Sequence, residues 1–357
     1  MSFFLDKILG QKNKSIEKKS NKIFFDSLLK LTKHHYKNCK KYKRILKSKE
    51  CNLNKISSLE KIPFLPSKIF KDHMLLSVKR RDVIKILNSS GTSNNNLSQI
   101  ALDRYTANMQ KVILSRIISS RIGNKRLPTV FIESKSVLKN SEKYSARVAG
   151  ILGFNNFSKD SIFILDDDMN LQKRIFLEFL KKYKNEKILF FGFTSLIWTN
   201  FLNKLEKEKL NLNLSNCILI HGGGWKKLIN ENISNLDFKN KINKILKIKD
   251  IINYYGMVEQ TGSIFIECKK GFFHTSIFND ILIRDKNNLE VCKLYQAGIV
   301  QVFSSIPKSY PGHSILTEDE GMLYGINNCK CGLKGKYFKI FGRIENTDLR
   351  GCSDVYQ

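Results

Sequence analysis

Acidic residues are scarce in this chain of 357 residues, with 32 Asp and Glu against 62 Lys and Arg and a net charge of +30. Proline occurs five times and tryptophan twice. No apolar run approaches the ~20 residues that a membrane-spanning helix needs. The longest candidate, residues 188–198, is broken by Gly192, Thr194 and Ser195. The opening MSFFLDKILGQKNK lacks both a basic segment and a long apolar core, so no export signal is expected. Eight cysteines scattered over the whole length are too sparse for a disulfide scaffold. These absences predict a soluble cytoplasmic protein without a membrane span.

What is present reads as an ordinary globular chain. At 42% hydrophobic and 26% charged residues it is neither disordered nor fibrous, and it is long enough to bury a large core. At ~150 residues per domain the length predicts two domains, or one large α/β unit with appendages. The basic excess raises nucleic acid as a partner. However, only 12 of the 62 bases are Arg, whereas base reading and bidentate phosphate contacts favour Arg. Fifty Lys and 33 Asn spread along the chain read instead as a composition bias toward A-rich codons. No nucleic-acid partner is expected.

The first 83 residues read as a helical N-terminal region. Phe3, Phe4, Ile8 and Leu9, then Ile23, Phe24, Leu28 and Leu31, recur at three-to-four spacing between lysines. His34 and His35 fall in this Lys-rich stretch and are expected to be solvated. Pro63 and Pro66 punctuate its end. From Ile84 onward, VIKILNSS, PTVFIES, SIFILDD, KILFFGF and NCILIHGGG each run apolar and then stop at small polar residues. Helical spacing follows several of them, as at Leu171–Tyr183 and Leu196–Leu210. Strand, turn and helix in repetition predict α/β with a largely parallel sheet. Ligands in such sheets sit at the carboxyl ends of strands, where these turns fall. After Gly262 the pattern becomes strand-rich, giving a smaller β subdomain over about 263–342 within an α/β domain of residues 84–342. Residues 343–357 form a short tail.

Five segments carry possible chemistry. SSGTSNNNLSQ, from Ser89 to Gln99, offers amides and hydroxyls in quick succession, as a phosphate cradle does. It lacks the spacing and Lys of a Walker loop, and a plain polar turn is the alternative. HGGGWKKL, from His221, lets backbone approach a flat ligand or simply makes a sharp turn. YYGMVEQTG places Glu259 where a carboxylate can hold Mg²⁺ beside a triphosphate, although a lone Glu is usually a solvated one. LTEDEG and FGRIENTDLRGC offer Asp319 as an acceptor and Arg343 as a donor for ribose hydroxyls.

Their succession resembles the adenylate-forming superfamily. PFLPSKIFK, SSGTS, HGGGWK, YGMVEQTG, IECKKGFFHT and GRIENTDLRGCSD together are similar to acyl-protein synthetases of bacterial luminescence systems (LuxE-type). The resemblance covers roughly Ile62 to Asp354. It implies the N-terminal-domain fold of adenylate-forming enzymes, without the usual C-terminal domain. It also implies that Ser89, Ser90, Gly91, Thr92 and Ser93 wrap the phosphates of ATP and that Gly222, Gly223 and Gly224 line the adenine and acyl pocket. Tyr255 and Gly256 would pack on adenine, Glu259 would serve Mg²⁺, and Asp319 and Arg343 would hold the ribose. The implied reaction joins a carboxylic acid, fatty in this family, to AMP with release of pyrophosphate.

Two departures from the superfamily stand out. Ser98-Gln99 closes the first loop where a Lys is usual, and the chain ends fourteen residues beyond Arg343, before a C-terminal domain could supply its Lys. Lys226 is the candidate for the cation at the α-phosphate. Cys352 matches the cysteine that accepts the acyl group as a thioester and passes it to a partner such as a reductase, with Arg350 placed to lower its pKa. The alternative is an incidental terminal thiol. Cys268, His274, Cys329 and Cys331 form a Cys₃His set suited to structural Zn²⁺, in a spacing similar to phenylacetate–CoA-ligase-like proteins. Three buried thiols and a core histidine are the alternative. Two other functions remain open at this point: an acyl-CoA ligase, and a nonenzymatic basic binding protein that keeps the fold.

Overall fold

Helical spacing in the first region does produce helices, and it buries more than the aliphatic residues. In the computed structural model, which describes residues 17–89, 97–139, 145–223, 228 and 233–344, helix α1 spans Glu17–Asn38 and α2 spans Lys40–Ser48. Phe24, Leu28, Leu31, Thr32 and His35 share the buried face of α1. The expectation of a solvated His35 is therefore overturned: it is 0% exposed. Its Nε2 donates to the Pro307 carbonyl at 3.1 Å and its Nδ1 lies 2.8 Å from Ser77 Oγ. The His35 ring stacks on His313 at 4.9 Å. His34 is half-buried and reaches the Lys308 carbonyl.

The chain divides into two units, one of residues 1–113 with 257–357 and one of residues 114–256. In the first unit, β1 (Leu65–Pro66) follows the helices, then β2 (Val83–Asn88) and β3 (Gln99–Asp103). β2 and β3 pair antiparallel. The Ser-rich loop is thus the turn of a β-hairpin, rather than the link from strand to helix that a nucleotide loop often makes. Helix α3 (Arg104–Ile122) follows.

The second unit holds the parallel sheet. Its strands are β4 (Leu127–Ser134), β5 (Ser158–Leu165), β6 (Leu189–Phe193), β7 (Ile218–Gly222) and β8 (Asp250–Tyr255). They lie in the order β5-β4-β6-β7-β8, all parallel. The apolar runs read from sequence are these strands, because a sheet covered on both faces needs no polar alternation. Helices α4 (Ala146–Asn155), α5 (Lys173–Lys182) and α6 (Asn235–Leu246) cross between them. On one face Phe176, Phe201 and Phe238 pack with Val130, Phe190 and Leu219. Elsewhere Phe154 of α4 stacks on Phe191 at 4.0 Å. A π-helical segment, Ile197–Leu202, interrupts the helix that leaves β6.

The chain then returns to the first unit and becomes strand-rich, as expected. β9 (Phe265–Glu267), β10 (Phe273–His274), β11 (Asn279–Arg284), β12 (Ala297–Ser304), β13 (Ser314–Ile326) and β14 (Lys336–Arg343) pair antiparallel in the order β11-β12-β13-β14-β10-β9. β1 adds to β13 in parallel. Among the described residues, no helix is long and apolar enough to cross a membrane.

Candidate functional site

In the first unit the polar residues converge on a buried carboxylate. Glu259 sits on a single 3₁₀ turn, Val258–Gln260, and is 6% exposed. Its backbone is fixed on both sides. Tyr310 Oη donates to the Glu259 carbonyl at 2.7 Å, and Gln260 Nε2 donates to the carbonyls of Val302 and Gly312. Burial pushes the Glu259 carboxyl pKa up, while the Ser98 hydroxyl and Lys71 favour ionisation and Glu318 opposes it. Buried carboxylates are costly unless paired. Mg²⁺ is held through one or two carboxylates with substrate phosphates completing its shell, so a lone, buried, rigidly placed Glu fits that ion.

Ser98 closes the base of the hairpin loop. Its amide donates to Ser89 Oγ at 3.0 Å, and the Ser89 amide returns a bond to the Ser98 carbonyl at 3.0 Å. Ser90, Gly91, Thr92 and Ser93 lie outside the described residues.

Asp319 and Arg343 face each other in register between β13 and β14. Along the other edge of β13, Ile299 pairs with Glu320 and Gln301 with Leu316, so residues 317–319 bulge out opposite Val300. Thr317 holds the bulge: its hydroxyl donates to the Val300 carbonyl at 2.8 Å and accepts the Asp319 amide at 3.1 Å. Bulges of this kind re-aim side chains beside active sites. Glu318, not singled out from sequence, takes the Arg343 guanidinium at 2.8 Å. Neighbouring acids in T-E-D-E gave no sign of which one Arg343 would meet.

In the second unit the C-terminal strand ends gather a second set. His221 is fully buried, with Nδ1 2.9 Å from Thr194 Oγ1, and burial pushes its pKa down to about 3. The next residue, Gly222, lies in register with Tyr254. A Cβ on Gly222 would come within 2.5 Å of the Tyr254 ring, so a side chain there would have to displace that ring. Gly223 has φ +62°, in the left-handed region that suits glycine. Tyr254, unremarked from sequence, stacks with Phe191 and tilts against Phe154. Tyr255 is half-buried and Gly256 exposed. Strand alternation puts Tyr254 and Tyr255 on opposite faces of β8. Gly224, Lys226 and Cys352 lie outside the described residues.

A third group is the Cys/His set. The ligand atoms of Cys268, His274, Cys329 and Cys331 all lie within 4.8 Å of one another. Cys268 Sγ is 4.0 Å from Cys329 Sγ, and Cys331 Sγ is 3.4 Å from His274 Nε2. Tetrahedral Zn–S bonds of ~2.3 Å imply ligand separations of about 3.8 Å. The surroundings match as well. Amides of Lys270 and Leu333 donate to Cys268 Sγ and Cys331 Sγ, and His274 Nδ1 faces the Lys334 carbonyl at 3.5 Å. Such second bonds orient metal ligands. Gly271 and Gly332, both at positive φ, make the two turns. The donor set fits Zn²⁺.

A family model matches nearly the whole chain. A model described as acyl-protein synthetase, LuxE matches residues 6–357. A long-chain-fatty-acid–luciferin-component ligase of Photorhabdus luminescens is 32% identical over 88 residues, 25% of this chain and 71% of that protein. Among solved structures, 2-hydroxyisobutyryl-CoA ligase in an open conformation with 2-HIB-AMP and CoA superposes with a TM-score of 0.70 at 15% identity, covering 91% of this chain and 75% of that one. The same ligase in its thioesterification state gives a TM-score of 0.71 at 15% identity over 92% and 69%. At that identity the likeness is one of fold, and the fold is that of adenylate-forming enzymes.

Proposed function

This chain belongs to the LuxE family of acyl-protein synthetases, which are AMP-forming ligases, and from that premise we propose that it activates a fatty acid with ATP and acylates its own Cys352. The substrate carboxylate oxygen attacks the α-phosphorus, the bond to the bridging oxygen breaks, and pyrophosphate leaves. The Cys352 thiolate then attacks the acyl carbon of acyl-AMP, forming a thioester and releasing AMP. A partner protein, such as a reductase, takes the acyl group from that thioester. The observation that carries the reading is the family match extending through residue 357, which includes the Arg-Gly-Cys-Ser-Asp segment around Cys352.

The residues divide the work by chemistry. Ser89, Ser90, Gly91, Thr92 and Ser93 cradle the phosphates through amides and hydroxyls, and Glu259 holds Mg²⁺, which offsets charge on the phosphate oxygens. Lys226 adds the cation at the α-phosphate. Asp319 accepts from the ribose hydroxyls and Arg343 donates to them. Tyr255 and Gly256 pack on adenine, and Gly222, Gly223 and Gly224 leave backbone open toward the ligand. Cys268, His274, Cys329 and Cys331 hold a structural Zn²⁺ that staples two turns. A reducing cytoplasm suits the seven described cysteines, none of which forms a disulfide.

The test is carboxylate-dependent ATP–pyrophosphate exchange over fatty and short organic acids, with intact-mass spectrometry on the same samples. Exchange with a hydroxylamine-labile adduct, lost in Cys352→Ser, is expected. Exchange without an adduct, and with thioester formation on added CoA, would replace this reading with an acyl-CoA ligase.

A further inference from the structure

Helices α1 and α2 carry a long run of positive charge. Residues 21–50 hold ten of the 62 Lys and Arg but two of the 32 Asp and Glu, so net positive charge there is about three times denser than the chain average. All ten bases are exposed. Helical period sorts them onto outward stripes. Lys30, Lys33 and Lys37 recur on α1 opposite buried Leu28, Leu31 and His35. On α2, Lys40, Lys43, Arg44 and Lys47 lie opposite buried Tyr42, Ile45 and Leu46.

These bases are also unneutralised. Among the described residues, none of the ten has a carboxylate within 4 Å. In the second unit Lys159, Lys173, Lys182, Lys241 and Lys244 each reach one, whereas among the described residues Lys181, Lys184, Lys187 and Lys207 do not. A composition bias would spread lysines evenly. It does not account for ten bases against two acids over thirty residues.

We propose that the α1–α2 face docks on an anionic lipid bilayer. Nine of the ten bases are Lys. Ammonium groups act as mobile point charges suited to the diffuse field of lipid headgroups, whereas nucleic acid and phosphopeptide readers rely on the Arg fork. The bilayer is also where a long-chain fatty acid collects, and the ionised acid adds to the negative surface charge. That last link rests on the proposed function; the electrostatic docking does not.

The full chain is sedimented with vesicles of phosphatidylcholine alone, of phosphatidylcholine with phosphatidylglycerol, and of phosphatidylcholine with oleate, across a salt titration. Two variants of equal charge change are compared: Lys40→Glu/Lys43→Glu/Arg44→Glu/Lys47→Glu on α2, and Lys181→Glu/Lys184→Glu/Lys187→Glu/Lys207→Glu on the second unit. Binding to both anionic vesicles, falling steeply with salt, is expected. Each near-surface charge contributes about fivefold to partitioning, so the α2 variant should lose at least about tenfold and the control variant far less. Equal losses in the two variants would reduce the effect to net charge and overturn the proposal. So would the absence of vesicle binding, including the case where the chain binds RNA or an acidic protein instead. Pyrophosphate exchange with a short, soluble acid should be unchanged in both variants. Its absence from the wild type, with vesicle binding intact, would remove the functional reading and leave the docking surface standing.

Discussion

Arg343 gives its guanidinium to Glu318 at 2.8 Å, although Asp319 is the residue opposite it in register. The bulge at 317–319 makes the swap possible by re-aiming the two acids. The two acids therefore separate by experiment. Glu318→Gln removes a half-exposed ion pair and should change stability by less than ~1 kcal/mol. Asp319→Asn should raise the KM for ATP about tenfold or more while thermal stability holds. Pyrophosphate exchange and thermal melts on both variants check this, and equal effects on ATP would contradict it.

Glu259 gives a pH prediction. Its folded pKa is raised by burial, so the apo protein is free of the ionisation cost at low pH and loses stability as pH rises through that raised pKa. Glu259→Gln should flatten this part of the profile, stabilise the apo chain near neutral pH, and abolish Mg²⁺-dependent exchange. Melting temperature against pH, with and without Mg-ATP, reads both effects.

Three buried histidines act in the opposite sense. Burial pushes His221 and His313 down to about 3 and His35 well below its usual value. Neutral in the fold, each protonates on unfolding once pH drops below 6.5. Stability is thus fully present above that pH and declines below it, by up to about 1.4 kcal/mol per pH unit for each histidine. Urea titrations at neutral and mildly acid pH should show the decline; a flat profile would rule it out.

At the strand end of β7, Gly222→Ala places a methyl against a rigid ring. Overpacking of this kind costs about 1–3 kcal/mol. Tyr254→Ala in the same chain should recover part of the Gly222→Ala loss by removing the clash. A double-mutant cycle with near-zero coupling would count against the contact.

Elemental analysis should find one zinc per chain. Cys329→Ser should lower that content and the melting temperature together, whereas Cys217→Ser should leave the metal in place. Metal loss with unchanged stability would argue against a stapling role.

Sequence made the parallel strands plain because sheets covered on both faces are written as continuous apolar runs. The Cys/His set was also visible, since four ligand residues of two types fall at two turns. His35 was misjudged by its lysine neighbours, although Phe24, Leu28, Leu31 and His35 follow one helical stripe. Tyr254 and Tyr255 are adjacent in the chain, and only the register against Gly222 shows which ring meets it. The lysine count, taken over the whole chain, concealed that the exposed faces of α1 and α2 hold ten bases and two acids within thirty residues. Lys226, Cys352 and most of the Ser-rich loop lie outside the described residues.

The first unit is written in two instalments, with residues 114–256 between them. During synthesis, at about 5–20 residues per second, the second unit has its whole sequence while the first still awaits residues 257–357. The final hundred residues add roughly 5–20 s. Until residues 307–326 are made, β1 lacks β13, His35 lacks the Pro307 carbonyl, and Thr32 lacks His313. The apolar stripe of α1 is the surface left waiting on the nascent chain, and a chaperone that shields it would act before the ribosome lets go.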